Sequence, residues 1–311
     1  GKYRTTDLSK SEQGFYVTAN GLKSDVFKVS IREPFAEDAY ETITYPVVFH
    51  LIQDKTKVEL GQGVGADIVN YAFNTIYNCF ARTAAFSPNG ADTKIRFRLA
   101  EYDPNGRKME EKGINRYSLS TSDLNNLNPE KIKNNPKICW DYKRYLNIWI
   151  VENMGNSVST PHYILNTADL NQIQGVSFEQ LSLEEIEKQE YSLTDIGLIY
   201  GARDFAIEDV GYPTQMGKFF GLLDTENQKE DYCEDTFAYN TYKEPWNTAL
   251  EGSNSRLKIS TDGLIFYSVN IMDASSYKNT ISMDQVKRIR TITDNCPHRW
   301  AWKSDWAFTG K

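Results

Sequence analysis

The stretch from Thr44 to Leu99 narrows the possible folds most. "TYPVVFHLI" is a short apolar, β-branched run, the pattern of a buried strand. "ADIVNYAFNTIYNCFA" then sets Ile68, Ala72, Ile76 and Phe80 at helical spacing, which predicts an amphipathic helix. "KIRFRLAEYD" alternates Ile95, Phe97 and Leu99 on one face, giving a second strand. "YLNIWIVEN" and "DIGLIYG" add further strands, and "SVSTPHYIL" reads as a short edge strand because Pro161 fits an edge better than a sheet centre. "TQMGKFFGLLD" reads as a helix running into a turn at Gly221, and "SMDQVKRIRTITD" as a final helix. These pieces predict an α/β fold: a twisted, mostly parallel sheet with two long helices, one of them ending at Gly221, above an irregular C-terminal lobe.

Three regions are expected. Residues 1–42 are polar, with weak alternation, and read as an N-terminal extension. Residues 43–224 form the α/β subdomain, with 118–138 as a surface loop holding a short helix and an acidic helix in "SLEEIEKQEY". Residues 225–311 form an irregular and helical subdomain, acidic and turn-rich over 225–262.

The net charge of -7 argues against a nucleic-acid partner, which needs a basic face. No run approaches the roughly 20 apolar residues of a membrane span. The opening at Gly1 without a Met leaves room for a removed leader and lipid anchor. Cys79, Cys139, Cys233 and Cys296 lie far apart with no CxxC, so a zinc knuckle is not expected. They are either disulfides of an exported protein or four buried thiols. Three histidines are present, so a three-histidine site would use His50, His162 and His298 together. His50, inside an apolar strand, reads as a satisfied core residue. His162, near the edge strand, is either a ligand contact or a surface histidine. No G-x-S-x-G supports a serine nucleophile.

The segments "YPVVFHLI", "LAEYDPNG", "YLNIWIVEN", "MGKFFGLLD", "DYCEDTFAYN" and "NIMDASSY…ISMDQVKRIR" occur in an order that resembles the metzincin zinc metalloproteases. The closer resemblance is to the pappalysin-like branch found as envelope lipoproteins of Gram-negative bacteria. That family carries H-E-x-x-H-x-x-G-x-x-H and, later, a Met-turn. Two histidines four residues apart on one helix face grip a metal ion, and the Glu beside the first is the general base. The resemblance places Thr214 at the first histidine, Gln215 at the general base, Lys218 at the second histidine and Asp224 at the third. Gly221 is kept, and Met272 matches the Met-turn methionine. Ala274 stands where a tyrosine commonly follows.

The resemblance therefore implies a pseudoenzyme: a metalloprotease-like scaffold of the cell envelope, outer-membrane-anchored or periplasmic, with no catalytic residues and no zinc. It implies a peptide or protein ligand in the cleft, contacted by His162 and Lys218 and added to the edge strand near 157–165. The alternatives are an active metallopeptidase with an unusual site, and a structural envelope lipoprotein. In related proteases the loop at "EDYCEDT" binds calcium, which makes Asp231, Glu234, Asp235 and Thr236 candidate ligands, against a solvated acidic loop. Among the cysteines, a Cys233–Cys296 bridge is expected if the protein is exported. Where the family holds zinc, the Lys218 ammonium is expected to pair with Asp224, with Thr214 and Gln215 as hydrogen-bond partners.

Overall fold

The structure, a computed structural model, describes residues 12–31, 39–57, 64–83, 90–166, 173–207, 211–225, 230–239, 257–260, 263, 265–274 and 278–311. Much of the expected turn-rich stretch 225–262 lies outside them. The chain forms two compact units, Gly1–Ala39 and Tyr40–Lys311. In the first, β1 (Glu12–Phe15) pairs antiparallel with β4 (Phe27–Ser30), and between them β2 (Thr18–Ala19) and β3 (Leu22–Lys23) form a tight hairpin.

The second unit is built on β5 (Ile43–Asp54), followed by α1 (Ala66–Phe80), β6 (Ile95–Leu99), β7 (Ile114–Leu119), the short helices α2 (Thr121–Asn125) and α3 (Pro129–Lys133), and β8 (Leu146–Val151). Next come β9 (Tyr163–Leu165), β10 (Glu179–Leu181), α4 (Leu183–Ile186), β11 (Gly197–Gly201), α5 (Ala202–Ala206) and α6 (Tyr212–Phe219). A hairpin of β12 (Leu257–Ile259) and β13 (Ile265–Tyr267), then α7 (Met283–Asn295) and α8 (Trp306–Thr309), complete the described chain.

One parallel sheet organises this unit, in the order β11-β8-β5-β6, with β7 also on β5. β5 is long enough to serve two strands in succession along one edge: Ile43–Val47 pair with β6 and Phe49–Asp54 with β7. Its other edge takes β8 from Val47 onward. Pro46 thus comes just before β8 begins to pair, where a missing N–H leaves no ladder bond unmade. The all-parallel sheet explains why β5, β8 and β11 read as apolar runs, since strands covered on both faces have no polar side. The expected edge strand is split. Ser157 alone bridges antiparallel to Ile199 of β11, while β9 leaves the main sheet to pair in parallel with β10.

Among the described residues two long helices are present, but they are α1 and α7. The helix ending near Gly221 has only 8 residues, because Pro213 starts it and a glycine turn stops it. α7 begins with a capping box in which Ser282 and Gln285 exchange hydrogen bonds.

His50 is the core residue its sequence context implies. Its Nε2 donates to Asn147 Oδ1 at 2.8 Å and its Nδ1 accepts from Asn115 Nδ2 at 2.9 Å. His298 is buried among the rings of Tyr142, Tyr163 and Tyr191. Burial pushes both imidazoles down to about 4, below the ordinary 6.5. Protons therefore bind the unfolded chain first as pH falls. The stability they contribute is present above about pH 6.5 and lost toward pH 4, about 3 kcal/mol for each. A melting series over that window should show a shallower acid slope for His50→Gln than for the parent. Asp231 and Asp273, whose carboxyls burial pushes up, act in the opposite direction in both proteins. Parallel slopes would count against this account.

Candidate functional site

α6 carries the motif positions. Its end is a glycine turn: Leu222 N donates to Gly217 O and Gly221 N to Lys218 O, both at 2.9 Å, with Gly221 at φ +83°. A side chain on Gly221 would also meet Ile292, its Cβ lying 3.0 Å from Cγ1. One turn earlier, a Cβ on Gly217 would come within 2.9 Å of Met272 Sδ, so the buried Met272 packs directly under the helix.

Above this floor the motif residues are tied to one another and to the loop after Met272. Lys218 Nζ lies 2.9 Å from Asp224 Oδ1 and 3.0 Å from Oδ2, each side chain about 30% exposed. Thr214 is buried; its hydroxyl donates to Ile271 O at 2.5 Å and accepts from Lys278 Nζ at 2.9 Å. The expected pairing of Lys218 with Asp224 is formed, but Thr214 and Gln215 are not its partners. Thr214 is held by a second ammonium, and the Gln215 side chain makes no hydrogen bond among the described residues. Around the corner, Thr225 donates to Asp273 Oδ1 at 2.5 Å, and the buried Lys258 donates to Ala274 O at 2.8 Å. Ala274 N donates to the Tyr239 hydroxyl at 2.7 Å.

These residues do not suit zinc. A charged ammonium has no lone pair and repels a cation; Lys218 carries one, and Lys278 brings a second to within 2.9 Å of the Thr214 hydroxyl. Among the described residues no three His, Cys, Asp or Glu side chains gather into a group that could hold a metal ion.

The acidic loop is tied to the protein itself. Asp231 accepts from Cys233 N and from the Thr236 hydroxyl, and Asp235 accepts from the Ser282 hydroxyl at 2.6 Å and Asp284 N at 3.0 Å. Asp235 thereby caps the start of α7. Glu234 is exposed. All four cysteines are free thiols, so the Cys233–Cys296 bridge is not formed. Cys296 instead packs with Ile164, Ile173 and Ile292, and burial raises both thiols.

Sequence reasoning missed the group that joins the site to the sheet. Arg299 is fully buried, and its guanidinium donates to Phe219 O at 2.8 Å, to Ser159 O at 3.2 Å and to Asp195 O. Its Cζ stacks 3.6 Å over the Phe219 ring. The segment 159–161 is thus held against the end of α6, and Pro161 Cδ lies 3.7 Å from the position of a Gly221 Cβ. His162 follows, half-exposed, with Nδ1 at 2.8 Å from the Oδ1 of buried Asp195. No local signal marks these contacts; they join residues far apart in the chain.

Among solved structures, a promirolysin variant of Tannerella forsythia matches with a TM-score of 0.53 and 18% identity, covering 86% of this chain and 85% of that one. Mature mirolysin of the same organism, in complex with a cleaved peptide, matches with a TM-score of 0.53 and 17% identity, covering 86% and 97%. The fold is that of a metalloprotease. No protein-family model and no curated protein matches the sequence. The mixed α/β architecture with its mostly parallel central sheet is shared with mirolysin, and no described helix is long and apolar enough to cross a membrane.

Proposed function

We propose that this metalloprotease-like protein is a non-catalytic peptide-binding module of the cell envelope, exported and descended from a zinc enzyme. The observation that carries the reading is the pair of ammoniums, Lys218 on Asp224 and Lys278 on Thr214, at positions that a zinc enzyme fills with ligands. A Gln at the general-base position has no carboxylate to take a proton from water. The scaffold around them, Gly221 and Met272, is kept.

Binding is supported by an open edge. Ser157 exchanges both of its backbone bonds with Ile199, and successive residues of an extended chain alternate the side to which they bond. Val158 and Thr160 have no backbone hydrogen bond among the described residues, so their N–H and C=O groups are available to an added strand. The structural neighbour with a cleaved peptide is consistent with a peptide in this cleft.

The test is a panel of labelled hexapeptides offered to the zinc-supplemented protein, followed by both binding and cleavage. Saturable binding without cleavage is expected. Val158→Pro, which removes one edge N–H, should weaken binding about tenfold. Zinc-dependent cleavage would make the protein an enzyme, and failure to bind any peptide would leave a structural envelope protein.

A further inference from the structure

Two polar side chains on one side of α6 carry donors that the fold does not use. The Lys218 ammonium has three N–H groups, of which the two oxygens of Asp224 take at most two, at 2.9 Å and 3.0 Å. Gln215 is partly buried, and its side-chain amide makes no hydrogen bond among the described residues. The two positions are three apart in one helix, so the amide and the ammonium are neighbours on one face.

The charges around this face favour an anion. Lys218, Lys278 and Lys258 bring three ammoniums, against the two carboxyls of Asp224 and Asp273. Lys278 reaches the Thr214 hydroxyl, one turn before Lys218, and the buried Asp273 lies in the field of both Lys258 and Lys278. Burial pushes the Asp273 carboxyl up, which weakens its share of the negative charge. The excess is thus positive in a chain whose net charge is -7. The open edge runs close by. Phe219, the residue after Lys218, shares the Arg299 guanidinium with Ser159, and Pro161 Cδ lies 3.7 Å from the position of a Gly221 Cβ. An added strand along Val158 and Thr160 therefore passes alongside α6. It gains few backbone bonds, because Glu179 N already takes the His162 carbonyl at 2.7 Å and β10 closes the edge there.

We propose that Gln215 and Lys218 together bind the C-terminal carboxylate of the peptide, which makes the protein a reader of free chain ends. The assignment rests on the peptide-binding reading above. Two donors side by side match the two oxygens of a carboxylate, and the bond from the ammonium is charge-assisted, roughly twice the strength of a neutral one. Asp224 steadies the ammonium without using all of its donors. Backbone pairing on the edge reads no side chain, and the carboxylate that accompanies a peptide backbone whatever its sequence is the one at its C-terminus.

The experiment uses the full chain at neutral pH and hexapeptides of uncharged residues labelled at the N-terminus, each made as the free acid and as the C-terminal amide. The acid should bind about tenfold tighter than its amide. Gln215→Leu should narrow that gap to about threefold, and Lys218→Met should close it. Asp224→Asn breaks the same ion pair but keeps the ammonium, so it should preserve the gap and thereby separate the contact from damage to the end of α6. Equal binding of acid and amide, or a gap that persists in Lys218→Met, overturns the proposal while the binding reading stands. An amidated peptide with one internal Glu that binds as tightly as the free acid also overturns it, by putting the recognised carboxylate on a side chain. If no hexapeptide binds in either form, both readings fall together.

Discussion

Arg299→Met is expected to destabilise the Tyr40–Lys311 unit by about 3–5 kcal/mol. Met nearly matches the apolar stem in volume, so the loss comes from the guanidinium. Its three acceptors, the carbonyls of Phe219, Ser159 and Asp195, would be left buried, each unsatisfied group costing about 1–3 kcal/mol before relaxation. The stacking on Phe219 would go as well. Arg299→Lys should recover only part of the stability, because one ammonium does not reproduce a planar fork aimed at three separate carbonyls. Because Ser159 is one of the acceptors, peptide binding at the edge should weaken along with stability. Denaturant unfolding at neutral pH measures the effect. A loss under about 1 kcal/mol for Arg299→Met would mean that the three carbonyls find other partners and the hub is not one.

The second large effect concerns zinc. The quadruple variant Thr214→His, Gln215→Glu, Lys218→His and Asp224→His restores the ligand pattern, and Gly221 and Met272 remain to shape it. It is nonetheless expected to bind zinc poorly, because the Lys278 ammonium lies 2.9 Å from the Thr214 hydroxyl, where the first histidine would stand. A like charge about 4 Å from the metal costs about 4 kcal/mol per unit charge at an effective dielectric near 20, less whatever the lysine recovers by swinging outward. Adding Lys278→Ala should therefore raise zinc affinity about 10–100-fold, measured by competition with a chelator. Tight zinc in the quadruple variant would show that Lys278 is not the obstacle. A folded fivefold variant without zinc would show that these positions do not converge.

The parts of this fold legible in the sequence are those whose physics is local. β5, β8 and β11 are covered on both faces and read as apolar runs. α1 buries Ala72, Ile76 and Phe80 of the expected stripe, with Val69 rather than the half-buried Ile68 beginning it, and α7 opens with a capping box. β7 was not legible. Its "INRYSL" has one buried residue, Ile114, and polar residues among its partly exposed positions, so only its pairing with β5 makes it a strand. The 8-residue length of α6 was hidden as well, since Pro213 and the Gly221 turn leave too little sequence for a clear period. At the site, Lys218 and Asp224 sit 6 positions apart and their pairing followed from the helix and its turn. Lys278, Arg299 and Asp195 act across long separations with no motif of their own, which is why the second ammonium, the hub and the partner of His162 emerge only in three dimensions.

The bond from the Tyr45 hydroxyl to Arg299 O, 2.6 Å long, joins residues 254 positions apart, and the guanidinium of the same arginine fastens α6 to the sheet's open edge. A chain made from its N-terminus presents β5 long before Arg299. Until Arg299 follows, the core strand and the edge beside it have no clamp, and a nascent chain presents that edge to whatever is near. The step that makes the central sheet safe thus trails the strand it protects by 254 positions, and a chain cut short before Arg299 would be a substrate for chaperones and proteases rather than a shorter version of the folded molecule.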